Sequence, residues 1–135
     1  MREIIFRAKT EQGEWVEGLL WKNKYKTEKL FISCFPDKDD NEEVFVVDKE
    51  TIGQYIGLTD KNGKKIFEGD IVKENDIYHK GELQIKGNTW RVAFADGLFF
   101  GNFKDISVYL QSLDGMEVIG NIHDNPELLE VQNER

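Results

Sequence analysis

One cysteine, two histidines and two prolines stand in 135 residues, and no uninterrupted apolar run is longer than four. Cys34 has no partner for an internal disulfide, which fits a reducing cytoplasm. His79 lies in a polar break and His123 follows the last strand, so neither has a metal-ligand neighbour at i+3 or i+4 on a helix, and no metal site or cofactor is expected. A transmembrane helix needs about 20 apolar residues, and none of the runs approaches that. The start, Met1 to Thr10, has a mixed strand pattern where a secretory leader would have a basic and then an apolar region, so no signal is expected. Positive charge is also short. Eighteen Lys and Arg against 26 Asp and Glu give −8, which works against a nucleic-acid backbone as the default partner.

What is present is a series of short β-patterned runs separated by turn residues. The densest is Thr51 to Lys73, TIGQYIGLTDKNGKKIFEGDIVK. Asp60-Lys61-Asn62-Gly63 reads as a turn, because Asp and Asn bond their own backbone and Gly63 accepts a positive φ. Glu68-Gly69-Asp70 reads as a second turn, with a brief strand over Lys65 to Phe67 between them. Gly57 completes the set of expected structural turn positions.

Before this stretch, Arg2 to Lys9 and Glu14 to Trp21 pair as a hairpin across Thr10 to Gly13. Leu30 to Phe35 and Glu43 to Asp48 follow as strands. After it, Ile77 to Ile85 is a strand interrupted at His79-Lys80-Gly81. Trp90, Val92 and Phe94 alternate with Arg91 and Ala93, and Asp96-Gly97 turns the chain into Leu98-Phe99-Phe100. Ile106, Tyr109, Leu110 and Leu113 fall at i, i+3, i+4 and i+7, which predicts a short helix over Asp105 to Leu113. Glu117 to Ile122 is a last strand, and Asn125-Pro126-Glu127 predicts a helical turn over Leu128 and Leu129.

GQYIGLTDKNGKKIFEGDIV resembles the signature of the YopX family, small proteins of phages and prophages of Gram-positive bacteria. The ending, Glu117 to Leu128, and the opening, Ile5 to Ala8, resemble the same family, so the likeness spans the chain. It implies a β-rich pseudo-barrel related to SH3-like barrels and supplies no catalytic residues. The expected fold is therefore mainly β. Residues 1–50 form an amino-terminal hairpin and sheet extension, 51–125 an SH3-like pseudo-barrel closed by one short helix, and 126–135 a helical turn and tail, all in one compact unit.

The chemistry-bearing residues favour structural readings. His123-Asp124 has the elements of a general-base pair and Cys34 with His123 those of a nucleophile and base. The first fits a surface turn better, and the second places its thiol in an apolar strand, where thiols are inert. A hydrolase there is an outside reading. The loop Asp37 to Glu42 has oxygen ligands but lacks the glycine and the closing glutamate of a calcium loop. Lys22, Lys24, Lys26 and Lys29, with Trp21 and Tyr25, offer phosphate contacts and a stacking platform to nucleic acid.

Phe99 and Phe100 cannot both point inward on one strand, and Ile4, Ile5 and Phe6 leave an apolar side chain on either face. These five residues form an expected interface. The role expected is a non-catalytic accessory protein in the host bacterial cytoplasm. It would act by protein–protein contact or self-assembly, as a homo-oligomer or on a phage or host protein. The runner-up is a small nucleic-acid-binding barrel using Lys22 to Lys29; no membrane partner is expected.

Overall fold

The computed structural model describes residues 4–22, 29–35, 41–95, 97–103, 106–109 and 115–132. The chain divides into two compact units, Met1–Tyr55 and Ile56–Arg135. In the first, β1 (Phe6–Lys9), β2 (Trp15–Lys22), β3 (Leu30–Cys34) and β4 (Glu43–Val47) form consecutive antiparallel pairs. The start of β5 (Gly53–Thr59) lies on the other side of β1. Alternation along these strands sends Ala8, Ile32 and Val47 into a core. Phe6, Val16, Leu20, Leu30, Phe45 and Ile52 pack around it.

Thr10 organises the first hairpin: its hydroxyl accepts from the N–H groups of Gln12 and Glu14, and its own N–H donates to the Glu14 carbonyl. A bridge between Thr10 and Val47 brings the ends of β1 and β4 together. A 3-10 turn, Lys49–Thr51, is capped by the Asp48 carboxylate, and the Thr51 hydroxyl accepts from the Lys9 N–H at 2.8 Å.

In the second unit β5 continues and turns into β6 (Lys65–Phe67). A five-stranded antiparallel sheet follows in the order β12-β11-β10-β7-β13. Its members are β7 (Asp70–Lys73), β10 (Thr89–Ala95), β11 (Leu98–Phe103), β12 (Ile106–Tyr109) and β13 (Glu117–Asn121). The strands β8 (Ile77–His79) and β9 (Glu82–Ile85) form a separate hairpin, and α1 (Glu127–Gln132) ends the described chain. The core is Ile56, Ile66, Val72, Trp90, Val92 and Phe99, with Leu58, Met116 and Val118 against it. Among the described residues the fold is mainly β, with one short α-helix. The antiparallel sheets are open, so barrel closure remains an implication of the resemblance.

The helix expected over Asp105 to Leu113 is not formed where it can be seen. Ile106–Tyr109 is β12, paired in register with Phe100 to Phe103 of β11; Asp105 and Leu110 to Leu113 lie outside the described residues. Four residues, Ile106-Ser107-Val108-Tyr109, are too few to fix a period, and here the edge of β11 supplies hydrogen-bonding partners along one side. The short helix lies instead at Glu127–Gln132, where Asn125-Pro126 predicted a helical turn; the Leu128 N–H donates to the Asn125 carbonyl.

Two glycines meet different demands. Gly63 has φ +82° with open space where a side chain would stand, whereas a Cβ on Gly120 would come 2.5 Å from Asn125 Oδ1. Gly63→Ala is therefore expected to cost only backbone strain, about 1 kcal/mol. Gly120→Ala must also displace Asn125 from the Asn121 N–H and is expected to cost about 2 kcal/mol or more. Urea unfolding of the two variants checks the ranking.

Candidate interaction surfaces

The turn stretch and the last strand are tied by one carboxylate. Asp60 is buried, and its Oδ1 accepts from the N–H groups of Asn62 and Lys64 at 2.8 and 2.9 Å. Its Oδ2 accepts from Val118 N–H on β13 at 3.0 Å. Burial by itself would raise the Asp60 pKa. The hydrogen bonds from Val118, Lys64 and Asn62, with the charge of Lys64, outweigh that and hold it below the ordinary aspartate value.

Asn62 Nδ2 donates to Glu117, and Lys61 N–H donates to the Met116 carbonyl. Gly57, Gly63 and Gly69 all have positive φ. Gly69 donates to the Val92 carbonyl and accepts from Ile122, so one residue joins two strands. Asp70, also buried, accepts from Phe67 N–H at 2.8 Å. Asp60, Asn62, Gly63 and Gly69 thus lie at chain reversals, whereas Gly57 lies within β5 and Asp70 opens β7.

The backbone of His123-Asp124 forms a turn. His123 N–H and Asp124 N–H both donate to Asn121 Oδ1, and Asp124 accepts from Asn121 Nδ2, which makes this segment a tight turn into α1. Cys34 ends β3 half-buried. Burial and the charges of Glu43 and Glu17 raise its pKa against the lowering effect of its contact with the Glu17 carbonyl, so the thiol stays protonated.

An open groove of about 340 Å³ is lined by Lys61, Lys73, Glu74, Asn75, Asp76 and Glu117 among others. Its charges are already engaged: Lys73 with Asp76 at 2.9 Å, Lys61 with Asn75 at 3.1 Å and Glu74 with the Trp90 indole N–H at 2.6 Å. Such a groove has few groups left to act on a ligand. Among the described residues no group of three or more His, Cys, Asp or Glu side chains could hold a metal ion.

The expected interface residues separate. Phe6 packs on the first core and Phe99 lies in the second; Ile4 is exposed, and Ile5 and Phe100 are half-buried. Of the lysine cluster, Lys22 is exposed at the end of β2 and Lys29 precedes β3, whereas Lys24, Lys26 and Tyr25 lie outside the described residues. The acidic loop also falls largely outside them, at 36–40.

An apolar surface among the described residues lies outside the expected interface. Opposite the core face of the first unit, β2, β3 and β4 carry Leu19 and Trp21, Phe31 and Ser33, and Val44 and Val46 in adjacent register. Leu19, Trp21, Val44 and the following Phe35 are 39–54% exposed. Trp21 stacks on Phe31 with ring centroids 4.5 Å apart, and its indole N–H donates to Ser33 Oγ at 2.8 Å. The ring is thus held in place before any partner arrives. The signal was present as the runs Leu19-Leu20-Trp21, Phe31-Ile32 and Val44 to Val47. Consecutive apolar residues on a strand make both of its faces apolar.

The YopX family profile (YopX protein) matches residues 5–130. The chain belongs to the YopX family. The match takes in both the turn stretch and the closing segment that Asp60 joins. The crystal structure of protein EF1440 from Enterococcus faecalis is similar, with TM-score 0.60 and 29% identity, over 96% of this chain and 99% of that one. No curated protein matches.

In this YopX-family chain Asp60→Ala removes the acceptor for three backbone N–H groups and is expected to cost about 3 kcal/mol or more. Because the folded pKa lies below the unfolded one, the carboxylate contributes fully above about pH 4 and progressively less as pH falls through the folded value. The stability gap between the native protein and Asp60→Asn should therefore narrow below pH 4. Denaturant unfolding across pH 2–7 measures it.

Proposed function

We propose that the protein is a non-catalytic accessory protein of a phage or prophage, acting in the host cytoplasm by protein–protein contact through the outward face of β2, β3 and β4. The observation that carries this reading is the fixed Trp21 ring among exposed apolar neighbours. Each large side chain covered on binding contributes about 1.5–3 kcal/mol. A ring already held by Phe31 and Ser33 loses little freedom when it is covered. Asp124 accepts from Asn121, and the Cys34 thiol has a raised pKa, which favours a non-catalytic reading. No helix among the described residues is long and apolar enough to cross a membrane.

A second reading has one observation in its favour: Trp21 stacked on Phe31 has the form of a stacking platform for single-stranded nucleic acid. The net charge of −8 opposes it.

Affinity capture from induced host cells tests the proposal. The native protein is expected to retain a protein partner, its own chain included, that Leu19→Ser and Trp21→Ser lose while their melting temperatures stay near native. Tight, Trp21-dependent binding of a single-stranded oligonucleotide, falling steeply with salt, would transfer the surface to the second reading.

A further inference from the structure

The outward face of β2, β3 and β4 has an internal order. Two rows cross the three strands at adjacent outward positions: Trp21, Phe31 and Val46 form one, and Leu19, Ser33 and Val44 form the other. The first row is a ridge, because the Trp21 and Phe31 rings stand stacked side by side. The second dips at its middle. Ser33 is 3% exposed, whereas Leu19 and Val44 on either side of it are 54% and 47% exposed. The hydroxyl at the bottom of the dip is already engaged by the Trp21 indole N–H, so the dip suits an apolar group.

A ridge beside a dip is complementary to its own copy turned over. We propose that this face packs on the same face of a second copy of the chain, about a two-fold axis that lies in the interface and crosses the strands between the two rows. The rotation lays β2 on β2, β3 on β3 and β4 on β4 of the other copy, running in opposite directions. Trp21 of each copy then faces Leu19 of the other, Val46 faces Val44, and Phe31 enters the dip at Ser33. Each contact occurs twice, as a two-fold requires. Side chains of two stacked sheets interdigitate in this way across a layer of about 10 Å. The inference rests on the reading of the face as a protein-binding surface and names its occupant.

Charge and area both fit a second copy. None of the six side chains is charged. Two chains of net charge −8 repel each other, so they approach best through a surface that carries no charge. A partner selected by charge finds no counter-charge on these rows. With Phe35, itself 49% exposed, the two rows present roughly 400 Å² of apolar surface. A standard interface takes about 800 Å² from each partner, of which roughly 450–520 Å² is apolar. One face-on-face contact thus supplies most of the apolar part, and the polar rim around it supplies the rest.

Light scattering coupled to size exclusion, on the full chain at micromolar concentration, tests this. The native protein is expected to be dimeric. Leu19→Ser removes the side chain that Trp21 of the other copy covers, and Val44→Trp fills the space that Val46 of the other copy needs. Each is expected to weaken the dimer about tenfold or more, with unchanged circular dichroism. Leu83→Ser, on the exposed β8–β9 hairpin, should leave it unchanged. Val44→Trp separates a fitted contact from mere stickiness, because it enlarges the apolar face and yet should reduce association. A monomeric native protein, a dimer that Leu19→Ser leaves intact, or stronger association of Val44→Trp overturns the proposal. A dimer that Leu83→Ser dissociates places the contact on the hairpin and overturns it equally. If the native chain is monomeric but Trp21→Ser still loses a captured protein, the self-pairing falls and the functional reading stands.

Discussion

The Asp60 carboxylate is the constraint from which the second unit follows. Its two oxygens accept three backbone N–H groups, two from its own turn and one from Val118 on β13. A strand far along the chain is thereby brought to a turn near the middle. The Lys61 bond to Met116 sets the approach on the other side of that turn. With Val118 placed, β13 runs along β7, and a bulge between Val118 and Gly120 re-aims the strand so that Ile122 reaches the Gly69 carbonyl. Asn121 and Asn125 then close the turn that leads into α1. The two segments that carry the family likeness thus form one hydrogen-bonded assembly, a structural reason for their occurrence in the same chain.

That assembly leaves little free chemistry. Among the described residues Asp60 and Asp70 accept from backbone N–H groups, and Asp76 from the Gly87 N–H and Lys73. What each unit presents outward is apolar surface: a sheet face with a fixed tryptophan in one, an exposed hairpin in the other. Such surface is costly to leave in water and favourable to cover. This distribution of polar and apolar groups is the basis on which we propose an interaction protein.

Much of this was legible in the residues. Turn chemistry at Asp60 to Gly63, the hairpin at Thr10 to Gly13, the strand at Lys65 to Phe67 and the helical turn after Pro126 each follow from short-range preferences of the residues involved. The interruption at His79-Lys80-Gly81 was visible too, although its meaning as the tip of a separate hairpin was not. The helix expected from Ile106 onward fails because periodicity over so few residues cannot report an unpaired edge waiting on β11. The apolar sheet face is assembled from three strands, and no adjacent pair of phenylalanines marks it. Three separate strands with consecutive apolar residues held the stronger signal.

Sequence alone determined the mainly β character, many of the places where the chain turns, and the family. These depend on local backbone preference and on composition. Tertiary structure decided which phenylalanine turned inward, where the short helix lay, which carboxylate was buried under three N–H groups and which apolar residues stayed outside. Those outcomes depend on pairing between segments far apart in the chain. A strand's two faces become different only when a neighbour covers one of them, and no single strand carries that information.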